Sequence, residues 1–191
     1  MKPLMINPME DKNNPAARHL AVSLKEYARN LYETRQLLCS EAVLVALNKG
    51  LNGGLTEQQA VAMAAPFCVA MGDSGCLCGA LSGAVLGAGL LIGNTHPYSH
   101  RREMRKSGLT LHNAFKDANG ATCCRVLSRK VKHDKKAHFK QCAGLTADAT
   151  EMAALLILKK RPELLAALDG SATFKTRGRL GAMMSYLLRW F

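Results

Sequence analysis

The chain has 191 residues, enough for one domain with a sizeable core, and its 48% hydrophobic and 21% charged residues are typical of a globular protein. Only 5% of the residues are aromatic and no long alternating strand pattern occurs, so we predict an all-α core of Ala, Leu, Val and Met. The net charge of +12 favours anionic partners, whereas the absence of internal repeats and of P-loop or HExxH motifs argues against repeat architectures, nucleotide binding and metalloprotease chemistry.

The N-terminal third of the chain predicts a mobile arm followed by helices. Residues 1–14 are rich in Asn and Pro and are predicted to form the arm. Asn14 and Pro15 form a helix start, and the following segment, 16–32, has apolar residues three or four apart. A second helix is predicted from Cys39 to Asn48, where it stops before a glycine-rich loop.

The middle third contains the most unusual stretch, SGCLCGALSGAVLGAGLLIG at 74–93, which follows a helix that begins after Thr56 and kinks or ends at Pro66. This uncharged, glycine-rich stretch is compatible with a membrane span, a redox site or a tightly packed core helix. We favour the buried central helix of a bundle, with Cys78 at its N-terminal end, because glycines let neighbouring backbones approach closely. A lone span would fit poorly between amphipathic helices.

A basic segment follows this stretch. Twelve Lys and Arg residues lie between Arg101 and Lys140, and three acidic residues leave the segment a charge of +9. A phosphate backbone, an anionic lipid surface and an acidic protein are all possible partners of such a field, and a solvated basic face without a partner is the alternative. Short helices are predicted at 110–120 and 123–130, and a longer one at 146–160 with cations in its last turn.

The C-terminal segment predicts an amphipathic helix. Six apolar residues fall on one helical face: Leu180, Met183, Met184, Leu187, Leu188 and Phe191. Arginines cover the rest of the helix, and Trp190 stands near its end. We expect the stripe to pack on the domain or on a second subunit, which would make a homo-oligomer, and an anionic membrane surface is the alternative.

Seven cysteines occur in a chain without an apolar secretory signal near its start. We therefore predict a cytoplasmic protein, with membrane association through the C-terminal helix as the alternative, in which the thiols stay reduced. Cysteines in a reducing compartment indicate metal binding or redox chemistry more than a disulfide framework.

Four motifs carry a family resemblance. The segments LLCSEAVL, CGALSG, NGATCCRVL and QCAGLTADATEMAALL occur in this order, roughly within residues 20–160. Together they resemble the redox-active protein family with four cysteines and a CGAxxG motif, named C_GCAxxG_C_C. The positions that match the family cysteines are Cys39, Cys78, Cys124 and Cys142; Arg125 and Leu127 favour Cys124 over its neighbour Cys123. Where the family tends to have glycines before its CGA motif, this chain has Cys68, Val69 and Ala70.

The resemblance implies a helical redox domain, which we place at residues 15–162, with 163–191 as a C-terminal helical extension. Four converging thiolates would hold an iron–sulfur cluster or zinc. The resemblance extends to a domain of some cytochromes that is similar to a [2Fe–2S] carrier, which favours the cluster and implies a redox partner protein. Gly79 and Gly83 would keep side chains away from the sulfurs, and Arg125 would offset their charge.

Two other functions remain open from the residues themselves. One is a metal-free thiol/disulfide protein, with Cys78 and Cys124 as the reacting pair. The other is a basic helical module that binds a membrane or, less readily, nucleic acid, with the cysteines as core residues. The sequence assigns no role to three cysteines: Cys68, Cys76 and Cys123.

Overall fold

The computed structural model describes residues 14–93 and 98–166, together with Phe174, Gly178 and Gly181. Short 3₁₀ turns occupy Ala65–Phe67 and Ser128–Lys130. The α-helices of the described part are α1 (Pro15–Glu33), α2 (Cys39–Gly50), α3 (Glu57–Ala64), α4 (Cys68–Asp73), α5 (Gly79–Gly93), α6 (Arg101–Asn119), α7 (Cys124–Leu127), α8 (Lys135–Lys160) and α9 (Glu163–Ala166).

The predicted all-α fold is confirmed, since the described residues contain helices and no strand. The glycine-rich helix α5 lies in the centre of the bundle, where it packs against α2, α6 and α8. Helix α1 covers α8 and α2 on the other side. The core is built largely of Ala and Leu from these five helices, with Phe115 as the largest fully buried side chain.

Helix α1 forms as its sequence predicts. Asn14 caps the N-terminus, because its Oδ1 accepts a hydrogen bond of 3.0 Å from the Ala17 N–H, and Pro15 occupies the first turn. The apolar residues spaced three or four apart, among them Leu20, Leu24 and Leu31, are buried against the core. This stripe fixes the face of α1 that packs on α8.

The glycines of α5 allow α2 to pack against it at short range. A Cβ atom at Gly83 would lie 2.6 Å from the carbonyl oxygen of Ser40. One turn further along, a Cβ at Gly87 would lie 2.4 Å from Cδ1 of Leu47. A larger residue at either position would push the two helices apart. The close approach of α2 therefore requires glycine at these positions of α5, although glycine has a low helix propensity.

Two helices are longer than the sequence predicted. Helix α6 begins at Arg101 rather than near residue 110, since Met104 and Ser107 continue its inward face through the basic segment. Helix α8 begins at Lys135 rather than at residue 146, because the Asp134 carboxylate accepts hydrogen bonds from two backbone N–H groups and caps it there. In both places, charged residues interrupt the apolar spacing, so the spacing alone did not indicate the first turns of the helix.

No helix within 14–93 and 98–166 combines the length and the apolar character that a membrane span requires. The stretch at 74–93, which could have been read as a span, is the core helix α5 with the loop before it. The predicted mobile arm at 1–14, apart from Asn14, and the predicted C-terminal amphipathic helix lie outside the described residues. The oligomer and membrane roles assigned to that helix stay predictions.

Candidate functional site

A cavity of about 320 Å³ opens beside the N-terminal end of α5. Three of the cysteines that match the family line it: Cys39 from α2, Cys124 from α7 and Cys142 from α8. The fourth, Cys78, is buried immediately before α5 and contacts Cys124. Thiols that are far apart in the sequence therefore meet at one end of the bundle.

The first thiol pair joins Cys78 and Cys124. The Cys78 N–H donates to the Thr122 carbonyl at 2.8 Å, which ties the residue before α5 to the segment before α7. The Cys78 thiol donates a hydrogen bond to the Cys124 sulfur, and this lowers the pKa of Cys124 to about 7. The same hydrogen bond, followed by burial, raises the pKa of Cys78. The pair is therefore a thiol beside a sulfur that ionises near neutral pH.

The second pair joins Cys39 to Cys68, a cysteine to which the sequence assigned no role. A hydrogen bond from the Cys39 thiol lowers the pKa of Cys68 to about 7, and the Ser40 Oγ lies 2.9 Å from the Cys68 sulfur. The same interaction, with burial, raises the pKa of Cys39. The one sequence signal for this fifth thiol was the presence of Cys68 at a position where the family tends to have glycine.

Cys142 lies on α8 beside an aromatic residue of α1. Burial raises the pKa of its thiol, and a hydrogen bond from the Tyr32 hydroxyl acts in the opposite direction. Burial also raises the pKa of Tyr32, so its hydroxyl stays protonated and able to donate. Tyr32 in turn stacks on Phe139, with ring centroids 5.0 Å apart, which fixes the hydroxyl at the sulfur.

Backbone N–H groups stabilise negative charge on three of the sulfurs: Val69 and Ser40 act at Cys39, and the first turn of α5 acts at both Cys78 and Cys124. Cys39 opens α2 and Cys124 opens α7, while Cys78 directly precedes α5. Backbone hydrogen bonds lower the pKa of each of these thiols, in opposition to burial, and the donor to Cys124 is Gly79. Helix N-termini have unpaired N–H groups and a positive dipole end, so they favour thiolates over thiols.

Glycine and arginine residues complete the surroundings of the sulfurs. A Cβ at Gly79 would lie 2.5 Å from the Cys39 sulfur, so only glycine leaves the sulfur its space there. Gly83 lies one turn further along α5, against the backbone of α2. Arg125 lines the cavity, and its guanidinium donates to the Ser74 carbonyl at 2.7 Å. Gly79 thus contacts a sulfur, and Arg125 lines the cavity. Gly83 instead packs against the backbone of α2 and contacts no sulfur of the cavity.

A disulfide joins the two remaining cysteines, Cys76 and Cys123, with their Cα atoms 4.4 Å apart. The expectation that all thiols are reduced is wrong for this pair. Each half of the disulfide precedes a member of the first thiol pair, so the bond holds together the loops that present Cys78 and Cys124. The spacings Cys76-x-Cys78 and Cys123-Cys124 were its only sequence signal, since pairing depends on how the loops approach.

The turn that presents Cys68 has a backbone usually adopted by glycine. Within α4, Val69, Ala70 and Met71 have φ values of 51°, 57° and 56°, and Gly72 follows with 64°. L-residues pay a steric penalty in this left-handed region and glycine does not. The chain therefore keeps a glycine-type backbone where the related family tends to have glycines, but with other side chains, and Val69 and Ala70 line the cavity.

The donor set suits a thiophilic group, although the thiols are arranged as pairs. Among the described residues, no three His, Cys, Asp or Glu side chains are placed as ligands of a metal ion. The chemistry nevertheless fits: converging thiols, backbone N–H groups directed at three sulfurs, and a glycine where a Cβ would displace a sulfur. The same pairs also fit reversible dithiol chemistry.

Comparison with known proteins agrees with the resemblance seen in the motifs. The family model described as "Putative redox-active protein (C_GCAxxG_C_C)" matches residues 37–156, well over half of the chain. The matched range contains all the cysteines of the cavity. No curated protein and no solved structure matches the chain. A redox role follows from the family match, and the chain belongs to the C_GCAxxG_C_C family of redox-active proteins.

Proposed function

We propose that this protein transfers electrons through an iron–sulfur cluster, with [2Fe–2S] as the first expectation and zinc as the alternative occupant. The ligands would be Cys39, Cys78, Cys124 and Cys142. The observation that carries the proposal is the meeting of these thiols, which come from separate segments, at one cavity. A bound cluster supplies one-electron transfer at a potential set by its protein surroundings.

The surroundings of the sulfurs match what such a group requires. Backbone N–H groups of Val69 and of the first turns of α2 and α5, together with the Tyr32 hydroxyl, each lower the pKa of one of these thiols in opposition to burial. Gly79 keeps space between Cys39 and the start of α5, and Arg125 places a positive charge at the cavity. Burial of Cys78 limits the access of water to its sulfur, which protects a thiolate ligand.

A second candidate is metal-free dithiol chemistry, favoured by the hydrogen bond between the Cys78 and Cys124 thiols. The Cys124 thiolate would attack a disulfide substrate, and its S–S bond would break as a mixed disulfide forms. Cys78 would then attack the Cys124 sulfur of the mixed disulfide, which forms the Cys78–Cys124 bond and releases the second half of the substrate as a thiol. The protein loses two electrons and two protons, and the substrate becomes two thiols.

The deciding experiment is anaerobic purification followed by an absorption spectrum and by assays of iron, acid-labile sulfide and zinc. We expect a coloured protein with iron and sulfide in equal amounts. Cys142→Ser should lose most of both, whereas the control Gly89→Ala should keep them, because no atom lies within 4 Å of a Cβ built at that exposed position of α5. A protein without iron, sulfide or zinc would overturn the cluster, and a reversible two-electron thiol titration would then support the second candidate.

We further propose that the protein is cytoplasmic, as expected from the sequence, and that its partner is a redox protein. In a reducing compartment the Cys76–Cys123 disulfide would be reversible rather than a permanent crosslink. Its state in the cell can be read by trapping free thiols with a mass label at the moment of lysis. Full labelling of Cys76 and Cys123 would show that the bond is open there.

A further inference from the structure

A basic segment contributes to the mouth of the cysteine cavity, whose lining also includes the exposed carboxylate of Asp73. Arg125, Ser128 and His138 line the cavity, and the segment that contains them is exposed and basic. Asp134 is the one acidic residue of the sequence between 118 and 147, and its carboxylate is occupied as the cap of α8. The exposed cations of this segment, called the basic rim below, are Arg125, which lines the cavity, and its neighbours in sequence Arg129, Lys130, Lys132, Lys135, Lys136 and Lys140.

Aliphatic side chains lie exposed at the same mouth. Leu38 and Val69 line the cavity and are 47% and 54% exposed. Val126 and Met71, each within two residues of a lining residue, are 58% and 50% exposed. Apolar side chains at an opening with a basic rim form the pattern of a small, transient docking surface, in which the apolar centre makes contact and the charged rim selects and orients the partner.

We propose that the mouth of the cavity is the docking face for an acidic redox protein, whose prosthetic group is thereby brought close to the cysteines. This inference rests on the proposed electron-transfer function and names its partner class. In each encounter one electron leaves the reduced partner, which is oxidised by one electron, and the cysteine site is reduced by one.

The aliphatic centre of the face favours a protein over a nucleic acid. Single-stranded nucleic acids bind on exposed aromatic rings combined with cations. The aromatic residues described near the mouth, Tyr32 and Phe139, are half-buried and stack on each other, so they offer no free platform. A protein that delivers electrons must also bring its prosthetic group close to the thiols, whereas a nucleic acid carries no such group.

The chain provides its own control surface at the opposite end of the bundle. The first turns of α6 contain Arg102, Arg105 and Lys106, which are also exposed. This end packs on the C-terminus of α5, because a Cβ at Gly93 would touch Met104. The length of α5, 15 residues, separates it from the cavity by about 22 Å.

The test measures electron transfer from a reduced acidic flavodoxin by stopped flow across a range of NaCl concentrations. The test variant combines Lys132→Glu, Lys135→Glu and Lys136→Glu. The control variant combines Arg102→Glu, Arg105→Glu and Lys106→Glu, with the same change in net charge. Both sets introduce acids near the start of a helix, where they are tolerated.

We expect the flavodoxin rate to fall with salt and to drop about tenfold or more at low salt in the test variant, with a much smaller drop in the control. Equal losses in the two variants, or a flavodoxin rate that does not fall with salt, would overturn the docking face. Binding of anionic vesicles or duplex DNA that only the test variant loses, with an unchanged flavodoxin rate, would overturn it too.

A separate measurement tests the proposed electron-transfer function itself. A small uncharged electron mediator needs no docking face, so both variants and the unmodified protein should accept the same number of electrons from it. If the unmodified protein accepts none, the electron-transfer function fails. If it accepts electrons from the mediator but its flavodoxin rate is the same in the unmodified protein and the test variant, the docking face alone fails.

Discussion

The two ends of helix α5 use the same small residues for different purposes. At the N-terminal end, Gly79 leaves space for the Cys39 sulfur, and its N–H stabilises Cys124. At the C-terminal end, Gly87 and Gly93 leave space for the side chains of Leu47 and Met104. The N-terminal end lies beside the cysteine thiols, the disulfide and the basic rim, whereas the C-terminal end packs in the hydrophobic core. Substitutions at the first end should therefore alter thiol chemistry, and those at the second should alter stability alone.

The largest expected effect comes from the disulfide, which belongs to the N-terminal end of α5. It closes a loop with a sequence separation of 47, and its loss should lower the free energy of unfolding by about 4 kcal/mol on loop entropy. We expect reductant to lower the urea midpoint of the unmodified protein by this free energy divided by the slope m. The variant with Cys76→Ser and Cys123→Ser should be unaffected by reductant. A midpoint of the unmodified protein that does not respond to reductant would contradict this.

The next effect separates the two ends directly. Gly79→Ala places a Cβ 2.5 Å from a sulfur and 2.8 Å from the Phe67 carbonyl, and Gly87→Ala places one 2.4 Å from a Leu47 methyl. Both should lower stability by about 1–3 kcal/mol. Only Gly79→Ala should also change the alkylation rates of Cys39 and Cys124, measured by mass spectrometry.

The matched control for these glycines is Gly89→Ala. No atom lies within 4 Å of a Cβ built there, so alanine should raise stability by about 1 kcal/mol through helix propensity. Loss of stability in this variant would show that α5 responds to any substitution. Equal changes in thiol reactivity for Gly79→Ala and Gly87→Ala would remove the distinction between the two ends.

A third effect concerns the left-handed turn that presents Cys68. Met71 has a φ of 56° and is 50% exposed, so Met71→Gly relieves steric strain and removes little buried surface. We expect a gain of about 1 kcal/mol in thermal unfolding experiments. Met63, 47% exposed within the regular helix α3, is the control, and Met63→Gly should lose about 1 kcal/mol. Losses at both positions would contradict the left-handed turn.

The smallest effect is a difference in pH dependence between two thiols of the metal-free protein. Cys124 has a pKa of about 7, whereas burial raises the pKa of Cys142. Since the thiolate is the form that reacts, iodoacetamide should label Cys124 from about neutral pH upward and Cys142 only in more alkaline solution. Tyr32→Phe removes a hydrogen bond that lowers the Cys142 pKa, so labelling of Cys142 should move to still higher pH. Labelling of both thiols at the same pH would contradict the assignment.

The sequence predicted the features that depend on local pattern. The Asn14 cap, the apolar stripe of α1 and the central position of α5 follow from spacing and residue type alone. The family motifs named four cysteines that the structure places at one end of the bundle. The early starts of α6 and α8 were missed, because an inward face interrupted by charges gives a weak apolar period.

Features that depend on how separate segments approach each other could not be predicted. The Cys39–Cys68 contact and the Cys76–Cys123 bond each join residues far apart in the chain. Either cysteine of a neighbouring pair could have faced the cavity, and the choice depends on the turn before α5 and on the left-handed turn in α4. Such pairings are fixed by tertiary geometry and not by sequence spacing.

In the proposed cluster, iron would be bound through sulfur alone, by the four family cysteines. Iron K-edge X-ray absorption on the anaerobically purified protein measures this most directly, since it reports the atoms bound to the metal. We expect a first shell of sulfur only, which Cys142→Ser disrupts and Met63→Gly leaves unchanged. Nitrogen or oxygen ligands in the unmodified protein, or no iron edge at all, would contradict the account.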